Sequence, residues 1–339
     1  MLNRCGNILW NSQDSTAATK IYMELTRRNW SVSDFHIEED ETEWLKVDFN
    51  RRSDIIKGFL VSNAIKQAFG SILLPILNTS IDLEDITKRA IISRIESILN
   101  GEHSQLNSKI IRELNSKHLV QKIAKDIKEG DQLVDVFQKI ETTFEGMFGW
   151  KSAYEAGLQM EGKDLFQQLH LHIWKASSLA TVLLEAAESL SLTSLFLALE
   201  AGAELPEMLL AVQTMTKDTA IISTYLSILA EESFRLLTKE NQEQNKKWLM
   251  KTINDYFKAP WNNSLAKSDL NEETKEISSQ FVEYNLNKSL VKLEFYPKEK
   301  VEQMPKLIEK YLGVDIDYWI SKGQENPYKE EKEKGKWWE

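Results

Sequence analysis

Lys163 to Ala201 contains neither glycine nor proline, and Gly202 and Pro206 follow directly. Glycine just past a helix end and proline at a helix start mark the two sides of a helical hairpin. The spacing therefore predicts helices over about 164–201 and 205–237. A helix over the whole first stretch would reach about 57 Å, more than a small domain is wide, so a break is expected near Ser189–Ser194. Between Lys175 and Lys217 there is no basic residue, and the acidic ones are Glu185, Glu188, Glu200, Glu204 and Glu207. Charge this sparse on helices this long implies burial on more than one face. The hairpin belongs at the centre of the domain.

Up to about residue 290 the rest of the chain carries a strand signal in one place only. Only 13 Gly and 6 Pro stand among 339 residues, about half the usual share of roughly 12%, which argues against loop-rich β architectures. Ile91, Ile95, Ile98 and Leu99 form one helical stripe, and Leu133, Val136, Phe137, Ile140 and Phe144 form another. That place is the N-terminal region. There Val32–Ile37 and Glu43–Phe49 alternate apolar and polar residues around the acidic turn Glu38–Glu41, the pattern of a β-hairpin. The expected fold class is thus mainly α: a multi-helix domain around a central buried hairpin, with a small N-terminal α+β element. The expected organisation is an α+β element over 1–52, a helical domain over 53–258 with its hairpin at 164–237, and a helical subdomain over 259–322. A charged tail follows over 323–339. Asp255–Asn271 reads as a linker, Leu293–Tyr296 as a short strand, and about Lys300–Leu312 as a last helix.

Bulk properties narrow the function classes. A net charge of −10, with 33 Lys and 9 Arg, repels phosphate backbones at long range and makes nucleic acid a poor partner. A single cysteine, Cys5, excludes an intramolecular disulfide and a cysteine-rich zinc site. The N-terminus lacks the apolar run of a secretory signal. The charge-free run between Glu188 and Glu200 is shorter than the roughly 20 residues of a spanning helix. A cytoplasmic protein without a transmembrane segment is expected.

No G-x-G-x-x-G, P-loop, H-E-x-x-H, EF-hand or G-x-S-x-G signature is present. Carboxylate di-iron bundles use Glu-x-x-His pairs, which set both ligands on one helix face. None of the five histidines has a glutamate three residues before it, which effectively excludes that class. His170 and His172, two apart on a helix, diverge by about 200°. Glu43 and Lys46 cannot share one face of a strand. The acidic Glu38–Glu41 turn reads as a solvated tip, and Met208 and Met215 as core. Arg112-Glu-Leu-Asn-Ser-Lys-His118 resembles the R-x(4–6)-H motif of HEPN ribonucleases, although Glu113 replaces the small polar residue common there. That resemblance implies metal-free RNA cleavage by a dimer, with Arg112 steadying phosphate charge and His118 as general acid/base.

The sequence reading favours a non-catalytic protein-interaction role, as adaptor, immunity-type partner or complex subunit. No cofactor or metal is expected. The partner is a protein or a second copy, engaged through the aromatic tail residues Tyr328, Trp337 and Trp338. The alternatives are the HEPN-like ribonuclease and a conditional membrane-active protein that exposes the Leu179–Val212 surface.

Overall fold

Helix caps set where the chain begins to wind in the computed structural model, which describes residues 25, 30–81, 86–114, 118–119, 121, 163–268, 270–297, 300–301 and 303–312. Among these residues every regular element is helical. The mainly α class holds.

The expected β-hairpin is replaced by helical turns at Val32–Asp34 and Ile37–Asp40 and by a short helix α1, Glu41–Lys46. The reason lies in the side-chain oxygens. Ser31 Oγ accepts from the Ser33 amide, while Asp34 Oδ2 accepts from the Ser31 amide at 2.7 Å, a reciprocal cap that closes a helical turn. Asp40, fully buried, accepts from the amides of Glu207 and Met208 at 3.3 and 2.7 Å. The residue expected at a solvated tip instead caps a distant helix. Phe35, Ile37, Trp44 and Val47 still turn inward, so the apolar spacing served a turn-and-helix path rather than a strand.

Helix α2, Phe49–Ala68, starts at Asp48, whose carboxylate accepts from the Asn50 amide at 2.9 Å. A π-helical turn, Phe69–Leu73, links it to α3, Leu74–Ser80. Helix α4, Ile86–Glu96, runs through a second π-helical turn, Ser97–His103, into α5, Ser104–Glu113. The central elements are α6, Lys163–Ala186, α7, Ser189–Glu200, and α8, Pro206–Arg235. The break between α6 and α7 falls at Ala187–Glu188. Gly202, at φ 92°, ends α7, and Pro206 opens α8, as the sequence implies. Then come α9, Lys239–Ile253, a third π-helical turn, Asn254–Lys258, α10, Ala259–Lys267, α11, Glu272–Lys292, and α12, Lys306–Leu312.

The linker expected over 255–271 is therefore largely helical. Pro260 sits in the first turn of α10, where a missing N–H costs nothing, and Phe257 stacks on Trp261 in the core. Leu293–Tyr296 forms a turn after α11, with Glu294 at φ 61°. The last helix begins at Lys306 rather than near Lys300. The stripe over 133–144 and the tail lie outside the described residues.

Helix α6 packs along α8, α7 packs along α2, and α11 covers α6 and α7. At the α2–α7 crossing a Cβ on Gly58 would lie 2.6 Å from Ser191 Cα, so only glycine allows this approach. The segment Phe166–Glu200 is apolar and long enough to cross a membrane, yet 94% of its most apolar window is buried in the bundle. In this structure that window is core of the bundle and not an exposed apolar surface.

Candidate functional site

Three helical segments and one break between helices point polar side chains into the bundle. Helix α2 carries Lys66, the second π-helical turn carries His103, and α8 carries Asp218 and Thr219. The α6–α7 break carries Glu188. All five residues are buried. The Lys66 ammonium makes a short ion pair with Glu188 Oε1 and lies 3.2 Å from His103 Nδ1. Lysine has only donors, so His103 Nδ1 accepts and its ring proton sits on Nε2. That nitrogen faces Asp218 Oδ2 at 3.5 Å. Burial, and then the Lys66 charge, lower the His103 pKa against the pull of Asp218 and Glu188. The ring is neutral. Thr219 Oγ1 lies 2.9 Å from both Glu188 Oε1 and the Met215 carbonyl and has one proton to donate between them.

The row continues outward. Trp30 Nε1 donates to Asp218 Oδ2 at 2.7 Å, and its ring lies nearly parallel to that of His103, with centroids 6.0 Å apart. Phe35 meets the same indole edge-on at 5.3 Å. Asp218 thus accepts from a half-buried tryptophan on one side and faces a buried imidazole on the other. The result is a continuous polar row: Trp30, Asp218, His103, Lys66, Glu188, Thr219.

A second centre lies next to the first. Glu185, one turn before Glu188, pairs with Lys288 and Lys292 of α11, the latter at 2.5 Å. Lys292 also reaches Ser223 Oγ at 3.4 Å, and Asn285 Nδ2 donates to the Glu185 carbonyl at 3.3 Å. Burial alone would raise the Glu185 pKa, but the two ammonium groups outweigh it and hold the carboxyl down to about 2. With His103 neutral, Lys66, Lys288 and Lys292 balance Glu185, Glu188 and Asp218. Among the described residues no three His, Cys, Asp or Glu side chains converge as metal ligands.

The residues singled out from sequence lie elsewhere. Arg112, at the exposed end of α5, is held by Glu113 at 2.8 Å. His118 is exposed. His170 meets Phe166 edge-on at 4.3 Å, and burial, followed by nearby Lys88 or Lys175, lowers the pKa of His170 and His172 respectively. Glu43 and Lys46 form a 2.5 Å pair one turn apart on α1. Met208 and Met215 are core. Tyr328, Trp337 and Trp338 lie outside the described residues. The sequence reading missed Trp30, Lys66, His103, Glu188 and Asp218. A signal was present in Glu185 and Glu188, two carboxylates on an apolar helix with no cation near them in sequence.

No protein-family model and no curated protein sequence matches the chain. Solved structures do. The fold resembles the dimanganese(II) NrdF of Streptococcus sanguinis at 17% identity and TM-score 0.68, covering 90% of this chain and 98% of that one. It resembles the ribonucleotide reductase R2 subunit of Clostridium botulinum at 13% identity and TM-score 0.58, covering 88% of each. The chain has the helical fold of ribonucleotide reductase R2 subunits. This finding overturns the non-catalytic adaptor, the HEPN ribonuclease and the membrane-active protein as readings, since the structural neighbours are ribonucleotide reductase subunits. It also corrects the exclusion drawn from the absent Glu-x-x-His motif: the motif is missing, but the fold that usually carries it is here.

The residues present do not fit a dimetal centre. Such sites in helical bundles take a glutamate from each of two helices and a Glu-x-x-His pair from each of two others. Here Lys66 places an ammonium between Glu188 and His103, where it competes with any metal ion for both ligands.

Proposed function

We propose that the chain serves as an R2-type subunit of a ribonucleotide-reductase-like enzyme in which Trp30 gives up single electrons to a one-electron oxidant on the companion subunit, while Asp218 and His103 manage its proton. The observation that carries this reading is the 2.7 Å hydrogen bond from Trp30 Nε1 to Asp218. When the indole gives an electron to a one-electron oxidant, its N–H bond becomes strongly acidic. The proton then crosses to Asp218 Oδ2, breaking N–H and forming O–H, and returns when the indole is reduced. His103 Nε2–H faces the same carboxylate oxygen and steadies its negative charge while it waits. Phe35 and the stacked His103 ring keep water from part of the indole, which limits proton loss to solvent.

Proteins named R2 are one subunit of a larger enzyme, so the partner proposed here is the companion subunit, with a second copy of this chain alongside. The aromatic tail residues Tyr328, Trp337 and Trp338 are the docking segment we assign to it. Net charge −10 and the R2 fold fit a cytoplasmic setting without nucleic acid.

The test is one-electron photo-oxidation of the full chain, followed by transient absorption. Wild type is expected to show a fast-forming neutral indolyl radical. Trp30→Phe should lose that component, and Asp218→Asn should trap the protonated cation radical instead. Identical transients from wild type and Trp30→Phe would refute the reading.

A further inference from the structure

We infer that the core is a dimetal-carboxylate scaffold whose six ligand positions persist while the Lys66 ammonium has taken over the charge of the metal ions. The positions follow from helix geometry. A bundle site of this kind needs single residues on two helices and i, i+3 pairs on two others, all facing one point. Lys66 on α2 and Glu188 at the head of α7 are the single residues, joined by an ion pair. His103 touches Lys66 at 3.2 Å, and three residues before it stands Asn100, packed where a Cβ on Gly70 would strike its amide. Thr219 reaches Glu188 at 2.9 Å, and three residues after it stands Ile222, fully buried. The set is therefore Lys66, Asn100–x–x–His103, Glu188 and Thr219–x–x–Ile222.

Charge arithmetic explains how the set emptied without opening the core. Four carboxylates balance two divalent ions in the full motif. Here one carboxylate, Glu188, balances one ammonium, Lys66. Both arrangements are neutral, and neutrality is what a buried site requires. Asn100, Thr219 and Ile222 fill the vacated ligand positions with side chains that need no counter-ion. The two π-helical turns, Phe69–Leu73 and Ser97–His103, flank this point, a backbone form that is rare and gathers at functional sites. The ammonium occupies the gap between His103 Nδ1 and Glu188 Oε1, so a divalent ion can enter only if Lys66 leaves.

The experiment measures metal content and melting temperature, which report on this site without reference to electron transfer. Full-length wild type from manganese- and iron-supplemented cells should retain far less than one ion per chain, and added Mn(II) should not shift its melting temperature. The paired variant Lys66→Glu with Asn100→Glu places four ligand side chains around the same point. It should melt below wild type in chelator, take up about one Mn(II) per chain and regain stability with it, since ions bound only by the folded state stabilise it. If that variant does not fold in chelator, recovery on refolding with Mn(II) reads the same result. Lys66→Met should lower the melting temperature by uncovering Glu188. Three results would each overturn the inference: stoichiometric metal in wild type that His103→Gln removes, a paired variant indifferent to Mn(II), or a Lys66→Met protein as stable as wild type.

Discussion

Glu185→Gln isolates the second buried charge centre. The substitution keeps the shape of the side chain and removes its charge, leaving Lys288 and Lys292 buried beside a neutral amide. Lys288 is 2% exposed and Lys292 11%, so water cannot take the place of the carboxylate. Removing one partner of a buried ion pair costs about 3–5 kcal/mol. The pKa route gives a similar figure. A fall from 4.5 to about 2 corresponds to about 3 kcal/mol at about 1.4 kcal/mol per unit. The folded pKa is depressed, so the stabilisation is complete above the ordinary value of 4.5. It drains as pH falls through the interval down to about 2. Urea unfolding of both proteins, followed by circular dichroism from pH 7 to pH 2.5, should show a gap of about 3 kcal/mol at neutral pH that closes steadily below pH 4.5. Taking the difference cancels the other carboxylates, which titrate alike in both proteins. A gap under about 1 kcal/mol at pH 7, or one that stays constant with pH, refutes the assignment of Glu185 as the anion that neutralises two lysines.

Further substitutions probe two contacts that hold the bundle and the two exposed residues Arg112 and His118. Gly58→Ala should destabilise by about 1–3 kcal/mol, because the new methyl meets the Ser191 backbone; helix propensity alone predicts a gain of about 1 kcal/mol, so a more stable variant in thermal unfolding rejects the close crossing. Asp40→Ala should cost about 1 kcal/mol by uncapping α8, while Asp40→Asn, which keeps an acceptor, should cost less in the same measurement. Arg112→Ala and His118→Ala should each change stability by no more than about 0.5 kcal/mol in denaturant titrations, as exposed surface positions do.

The parts of the fold legible in the sequence are those that local physics decides. Gly202 and Pro206 punctuate α7 and α8 because a left-handed cap and an N-terminal helix position suit those residues and few others. The missing cations between Lys175 and Lys217 announce burial. The N-terminal region was misread because alternation of apolar residues cannot tell a strand from a chain of short turns. Only the Ser31–Asp34 cap and the reach of Asp40 to α8 decide between them, and the second is a contact across 168 residues of sequence. The linker reading of 255–271 failed for a related reason. Pro260 and the surrounding polar residues are loop formers in isolation, but Phe257 and Trp261 gain more by stacking in the core.

The site was hidden for a different reason, which lies in its chemistry. Ligand motifs are recognisable because a metal demands fixed residue types at fixed spacing, whereas an ion-pair centre demands only that charges sum to zero at one point. Lys66 and Glu188 satisfy that demand from elements far apart in sequence, so no local pattern marks them. A search for Glu-x-x-His therefore tests for the metal and not for the fold beneath it. Helix packing at the α2–α7 crossing, with Gly58 against Ser191, depends on shape alone and survives any change in the ligands, provided each lost carboxylate is matched by the loss of one positive charge. The Trp30–Asp218–His103 row lies at the edge of that exchange. Its geometry needs a neutral imidazole with its proton on Nε2, and an ammonium donor at Nδ1 enforces that tautomer as a metal ion bound there would.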